Sequence, residues 1–395
     1  MTGLAYKHHI LHVGDVAVPD IVQSTGTPVY IYDLAEVTRR VSAYRTAFPD
    51  AVIAYACKAN ANPGLLSHLA TLGCGADVVS GYELQRALAA GIPPDKIVMN
   101  GNAKSAWEIN LAVRVGVRAI NLDAREEIPR VGEIAAAQDK RVPVALRINP
   151  GLDPDTHPHL RVGAPGSHFG IPPEDVIPAA QEVIHHPHLR LVGFHIHAGS
   201  QFLHLEDLEA VAAVAAEWVR RLRAQGFPVQ EINLGGGLGI DYEGHSNLTP
   251  KHVASLWRPY LTGLDVSLIV EPGRWLVAPA GILVVRVVQV KRAWGRIFVA
   301  VDGGMNALLR PALYAARHRI LPVVEGEPTL VVDVVGPNCE SADVLGRDYS
   351  LPPVRSGDLL AILDVGAYGR SMANTYNARP LPPEVIVQGG RWRVT

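Results

Sequence analysis

Lys58 closes the run "AVIAYACK", which holds seven uncharged residues before it and meets the polar turn "ANANPG" directly after it. Lysine is rarely left in apolar surroundings unless something pairs or reacts with it. Such an amine either snorkels to solvent along its aliphatic stem or, desolvated, becomes a nucleophile able to form a Schiff base. Other reactive groups sit at comparable places. "FHIHAGS" puts His195 and His197 on one face of a strand, because alternate side chains share a face. "LGGGLG" sets Gly235, Gly236 and Gly237 in a row, where backbone N–H groups approach an anion closely. "VEPGRW" ends an apolar run on Glu271 and adds Arg274; "VALRI" carries Arg147; "ADVV" runs from Asp77 into Ser80 and Glu83. A nucleophilic amine together with a phosphate cradle points to pyridoxal phosphate, for which a carboxylate such as Glu271 would keep the pyridine nitrogen protonated. The histidine pair also suits zinc in a hydrolytic barrel. With 16 histidines in the chain, chance pairs are common, and His157 and His159, in a polar loop, supply no convincing third ligand.

The elements that must position these groups alternate. After "PVYIY", which stands apart, eight apolar runs follow: "VIAYAC", "ADVV", "KIVMN", "AINLD", "VALRI", "LVGFHIH", "EINLG" and "SLIVE". Helical stripes lie between them, such as Leu65, Leu66, Leu69 and Leu72, or Leu208, Val211, Ala215, Trp218 and Leu222. Eight strands interleaved with helices over roughly 250 residues are what a (β/α)8 TIM-like barrel requires, although an open doubly wound sheet alternates in the same way. In a barrel the reactive groups belong at the C-terminal strand ends, and phosphate sites commonly follow strands seven and eight. Each group named above stands at or near such an end. The barrel is expected over residues 28–275. Beyond it, "GILVVRVVQVKRAW", "RIFVAVDGG", "TLVVDVVGP", "DLLAILDVGAY" and "EVIVQGGRWRVT" are strand-rich, and Gly389-Gly390 reads as a hairpin turn. A second, all-β domain of sandwich or barrel-like type is therefore expected from residues 1–27 and 276–395.

Bulk properties narrow the function classes. The chain of 395 residues suits two domains, and 48% hydrophobic with 19% charged residues makes it globular. A net charge of -2 gives no footprint for nucleic acid or an anionic membrane. Three cysteines build no disulfide framework, and the N-terminus has no signal-peptide pattern, so a cytoplasmic protein is expected.

In order and spacing, "YACKAN", "FHIHAGSQ", "LGGGLGI", "EPGR", "RPALY", "GPNCESAD" and "DVGAYGRSMANTYNARP" resemble the fold-type III pyridoxal-phosphate-dependent decarboxylases, and within them the diaminopimelate-specific branch. The resemblance covers almost the whole chain. It implies loss of carbon dioxide from meso-2,6-diaminopimelate to leave L-lysine, with pyridoxal 5′-phosphate as cofactor and no metal. By resemblance Lys58 matches the lysine that holds the cofactor and His197 the residue stacked on its ring. Ser200 and Gly235 to Gly237 match the phosphate cradle, joined by Pro272, Gly273 and Arg274 of "EPGR". Glu271 matches the pyridine partner, with Asp77 and Arg147 also on the cofactor side. Arg274, Arg310 and Tyr314 match groups gripping the far end of the substrate. Cys339 matches a proton donor, Glu340 a contact to the distal amine, and Tyr368 a residue touching cofactor and substrate. The "CES" segment would come from a neighbouring subunit, which implies a homodimer whose β domain completes the active site and the dimer interface. Related decarboxylases of ornithine, arginine or carrier-bound substrates share these features, and a non-catalytic homologue would lack Lys58 or Cys339. The chain departs from the pattern at Arg161, His168 and Arg317.

Overall fold

Eight short parallel strands close into a ring in the computed structural model, which describes residues 3–152, 163–164, 166–243 and 248–395. The strands are Val52–Ala56, Gly75–Val78, Ile97–Met99, Ala119–Leu122, Val142–Ile148, Leu189–Ile196, Glu231–Asn233 and Ser267–Val270. Each pairs with the next, and the last closes on the first through Ile269 opposite Val52 and Val270 opposite Ile53. All eight runs expected for a barrel are its strands, and closure decides against the open sheet. Apolar side chains run almost unbroken along these strands because both faces of a parallel sheet are covered. The helices turn their stripes to the ring. Leu208, Val211, Ala215, Trp218 and Leu222 are buried on the helix Leu205–Ala224. Leu65, Leu66 and Leu69 are buried on Pro63–Thr71, while Leu72 only ends that helix.

The chain divides into two compact units, one of Val41–Ile240 with Ser246–Gly273, the other of Met1–Arg40, Asp241–His245 and Arg274–Thr395. Residues 28–40, assigned above to the barrel, belong to the second unit. The physical reason is pairing: "VYIYD" (Val29–Asp33) lies between Gly281–Ala293 and Glu384–Gln388 in a nine-stranded mixed sheet. The N-terminal strands Leu4–Lys7, Ile10–Val13 and Val16–Ala17 form a small meander, and Leu11, Val13, Ile21, Val29, Ile31, Ile282, Val284, Val385 and Val387 share one core. The unit is mostly β rather than all-β, because it also holds the helix Val18–Thr25, where Pro19 sits in the first turn. Gly389 and Gly390 form a two-residue hairpin loop, both with positive φ (55° and 71°), the geometry that matches strand twist and favours glycine. No described helix is long and apolar enough to cross a membrane.

Candidate active site

Lys58 is held by the local chemistry of its own turn. The first barrel strand stops at Ala56, and Cys57–Ala59 make one 3-10 turn. The Tyr55 hydroxyl donates to the Asn60 carbonyl (2.9 Å), and the Asn62 Oδ1 accepts from the N–H groups of Gly64 and Leu65, capping the next helix. Between a strand end and a capped helix the Lys58 backbone has little freedom. Its side chain stays 35% exposed, and its amine lies 2.6 Å from Asp77 Oδ2, a fully buried carboxylate ending the second strand. Ser80 and Glu83, from the same run, close a helix start instead. Ser80 Oγ accepts from the Glu83 N–H, and Glu83 Oε2 accepts from the Val79 N–H.

Glu271 lies at the end of the eighth strand, 4% exposed, with every oxygen bonded. Its Oε1 accepts from Asn100 Nδ2 (2.8 Å) and Asn233 Nδ2 (2.6 Å), and its Oε2 faces His195 Nε2 at 3.2 Å. Burial opposes its charge. The bonded His195 and the nearby Lys58 amine outweigh burial and hold the carboxyl well below the usual carboxylate range. Asp77 moves the other way, raised by burial and by the Glu271 charge against the pull of Lys58. Asn100 joins the two carboxylates, donating to Asp77 Oδ1 (2.7 Å) as well as to Glu271, and its own Oδ1 accepts from Asn121 Nδ2. That last bond fixes the orientation of the Asn100 amide.

The two strand histidines separate in role. Their rings lie nearly parallel, 6.4 Å apart, as alternation requires. His195 serves Glu271, and His197 faces the Lys58 side. Burial first, then the charges of Lys58 and Arg147, push the His197 pKa well below its ordinary value, so this imidazole is neutral. Gly235, with φ of 62°, could carry no side chain, since a Cβ would come within 2.6 Å of His197 Nδ1. A Cβ on Gly236 would meet the Glu271 carbonyl at 2.3 Å, and one on Gly237 the Phe202 ring at 2.6 Å. The glycine run thus lets the seventh strand's loop lie against both groups. The Gly235 N–H donates to Asn233 Oδ1 and the Gly236 N–H more weakly to His197 Nδ1. Ser200 stands partly buried in the loop after the sixth strand. The Pro272 carbonyl accepts from the Ala56 N–H, and Gly273 packs where a Cβ would touch Ala56 and Ala59, so "EPG" lies against the Lys58 turn. Arg147 is bonded to Asp123 (2.8 Å) and covers the Phe169 ring. His168 is exposed and packs on that ring too, 4.1 Å between centroids. Arg161, with His157 and His159, lies outside the described residues.

The β unit gathers a second group. Arg274 and Arg310 are buried, 6% and 4% exposed. Arg274 donates to the Tyr242 hydroxyl (3.0 Å) and stacks on Tyr368 (4.7 Å). Arg310, at the start of the one-turn helix Arg310–Tyr314, stacks on Tyr242 (4.5 Å) and donates from Nη1 to His318 Nε2 (2.7 Å). Tyr314 and Tyr368 complete the electrostatic surroundings of both guanidiniums, and among the described residues Arg310 has no carboxylate partner. Tyr368 takes φ of 56°, a left-handed conformation uncommon outside glycine and concentrated at functional sites. Arg317 turns to the Tyr349 ring (4.9 Å), away from the Arg310 contacts. Cys339 and Glu340 are exposed. They ride on a firmly tied loop, because the buried Asn338 below them bonds to Asp343 and Asn306.

Within the barrel the residues fit a pyridoxal group. A partly exposed amine, a buried carboxylate kept ionised, a neutral imidazole and a side-chain-free glycine loop are the donor set such a ring and phosphate need. Among the described residues no cluster of three His, Cys, Asp or Glu could hold a metal ion. Sequence reasoning missed Asn100, Asn121, Asn233, Tyr242 and His318. A signal existed for the asparagines: each stands at or next to the C-terminal end of an apolar barrel strand. Comparison with known proteins gives the family. The sequence profile of the family "Pyridoxal-dependent decarboxylase, pyridoxal binding domain" matches residues 34–278. A diaminopimelate decarboxylase of Archaeoglobus fulgidus is 42% identical over 393 residues, 98% of this chain and 93% of that protein. The crystal structure of diaminopimelate decarboxylase from M. jannaschii in co-complex with L-lysine superposes with a TM-score of 0.95 at 36% identity, covering 99% of this chain and 94% of that one. That of the Helicobacter pylori enzyme complexed with L-lysine gives 0.92 at 38% identity, covering 95% of each. With the barrel that carries Lys58 and Glu271 matched almost end to end, the chain belongs to the pyridoxal-dependent decarboxylases.

Proposed function

We propose that this protein removes carbon dioxide from meso-2,6-diaminopimelate to give L-lysine, using pyridoxal 5′-phosphate. The observation that carries the substrate is Arg310: a guanidinium 4% exposed, without a carboxylate partner among the described residues and ringed by tyrosines. A buried cation left in this state suits a substrate that brings its own carboxylate. As substrates, lysine and ornithine would have their one carboxylate at the reacting carbon and none at the distal end.

Lys58 would hold the cofactor covalently, with Asp77 orienting the amine. When bound, the cofactor supplies an electron sink for the electron pair left behind as carbon dioxide departs. Glu271, ionised, would keep a proton on the ring nitrogen, and the neutral His197 would lie against the ring without adding a competing charge. Ser200, the loop of Gly235, Gly236 and Gly237, and Gly273 would take the phosphate. Arg147 adds positive charge on the same side. Arg274, Arg310 and Tyr314 orient the distal end of the substrate, and Tyr368 contacts both ligands. Cys339 delivers a proton from Sγ to the carbon that lost carbon dioxide, and Glu340 receives the distal ammonium. Their exposure on a tied loop supports service to a second copy of the chain, hence a homodimer. Three free cysteines, one of them exposed, suit a reducing cytoplasm. The test is to incubate purified protein with pyridoxal phosphate and meso-diaminopimelate and to assay lysine. Absence of lysine, or faster decarboxylation of ornithine, arginine or lysine, overturns this reading.

A further inference from the structure

His318 is fully buried, and its two ring nitrogens face different partners. Nδ1 lies 2.8 Å from the Leu363 carbonyl, which only accepts, so Nδ1 carries the proton. Nε2 is then a lone pair, and it receives Arg310 Nη1 at 2.7 Å. Burial first, then the Arg310 charge, push the His318 pKa down to about 3, so the ring stays a neutral acceptor. Tyr242 supports the same guanidinium from another direction. Its ring face backs Arg310 at 4.5 Å, its edge packs against His318 at 4.8 Å, and its hydroxyl receives Arg274. One tyrosine thus sets the spacing of two arginines, and one histidine sets the rotation of one of them.

The consequence lies in which edge of Arg310 remains. A guanidinium offers two forks to a carboxylate, Nη1 with Nη2 at its end and Nε with Nη2 at its side. His318 takes one of the two Nη1 hydrogens and so fixes the rotation of the whole plane. Nε is buried with no hydrogen-bond partner. A buried N–H left without a partner is costly, and a ligand carboxylate is the group that would satisfy it.

We propose that His318 and Tyr242 are positioning residues that lock Arg310 so that its Nε side is presented to the distal carboxylate of the substrate. This rests on the reading of Arg310 as the group that takes that carboxylate. The test uses the holoenzyme and two variants that differ in reach. In His318→Asn the amide can occupy the Nδ1 position and bond Leu363 but falls short of Arg310. In His318→Gln the oxygen can reach the Nε2 position and accept from Nη1. His318→Asn should raise KM for diaminopimelate about tenfold or more with kcat little changed, the result of mis-setting a charged hydrogen bond. Inhibition by the product L-lysine, which retains the distal carboxylate, should weaken in step with KM, inhibition by 1,5-diaminopentane, which lacks it, should stay within about twofold, and His318→Gln should recover most of KM. Equal KM values for the two variants, or a loss of 1,5-diaminopentane inhibition in step with KM, overturn the proposal. Crystal structures of both variants decide it independently of turnover. Arg310 should rotate in His318→Asn and stay in His318→Gln; a guanidinium unmoved in both overturns it. If the wild type forms no lysine from diaminopimelate, the functional reading falls while the arginine geometry still judges the positioning role.

Discussion

Glu271→Gln tests the centre of the barrel site, because its cost can be worked from three bonds. The wild-type Oε1 takes two asparagine amides and Oε2 takes His195 Nε2. Glutamine can keep its oxygen toward the asparagines only by turning its NH2 to His195. His195 must then present a lone pair at Nε2 and carry its proton on Nδ1, which is buried and has no partner. A stranded buried donor costs about 1–3 kcal/mol. The two asparagine bonds change from charge-assisted to neutral, which loses roughly 1 kcal/mol each. Removing a buried charge offsets part of this, but the depressed Glu271 pKa means that the site favours the anion on balance. The net expectation is a loss of about 2–4 kcal/mol for the cofactor-free barrel, read by urea denaturation with the same m-value. Activity should fall by about a hundredfold or more, since a neutral amide no longer holds a proton on the ring nitrogen. His195→Phe in the same background should recover part of the stability by deleting the stranded donor, and none of the activity. Wild-type stability in Glu271→Gln, or kcat within threefold of wild type, would refute the reasoning.

Lys58→Ala should give a colourless protein from which borohydride traps no cofactor on the chain; a trapped adduct at another lysine sinks the assignment. Mixing Lys58→Ala with Cys339→Ala subunits should restore about a quarter of wild-type activity, because half the dimers are mixed and each has one intact site; exchange without recovery rejects a shared site. Arg310→Ala should lower kcat/KM for diaminopimelate by about a hundredfold while leaving any turnover of lysine or ornithine nearly unchanged, and an equal loss on all three removes the distal-carboxylate role. His318, whose pKa is pushed down to about 3 from 6.5, binds its proton less readily folded than unfolded, so its stabilisation is complete above pH 6.5 and is lost as pH falls toward 3. Relative to His318→Gln, wild type should therefore lose about 2 kcal/mol between pH 7 and pH 5, checked by denaturation at both pH values.

The barrel was legible because burial on both faces leaves a plain trace. A parallel strand enclosed by helices is largely apolar, so its end shows as the first polar residue beyond it, and Lys58 and Glu271 announce themselves in that way. The boundary at residue 28 was not legible for the same reason. "VYIYD" is buried on both sides too, but between strands from the other end of the chain, and nothing local distinguishes a run enclosed by helices from one enclosed by distant strands. Val344–Leu351 was missed because it alternates weakly, with Arg347 and Asp348 exposed in its middle.

The site divides along a similar line. Residues that act through their own chemistry stood out by type and place, but those that act through another residue did not. Asn233 looks like a strand terminus until Glu271 is seen beside it, and the separation of 38 residues carries no local signal. Tyr242 follows the glycine loop of the barrel in sequence, yet its contacts are Arg274, Arg310 and His318 of the β unit. A chain position cannot reveal such a role, because what makes Tyr242 functional is the direction of its ring relative to two arginines 32 and 68 residues away. The same holds for His318, whose neighbour Arg317 drew notice as a departure from the family pattern. Arg317 rests on Tyr349, while His318, unremarkable in sequence, is the residue that bonds Nη1 of Arg310. A substitution at His318 should therefore shift substrate preference more than cofactor retention, since its ring nitrogens bond Arg310 and the Leu363 carbonyl.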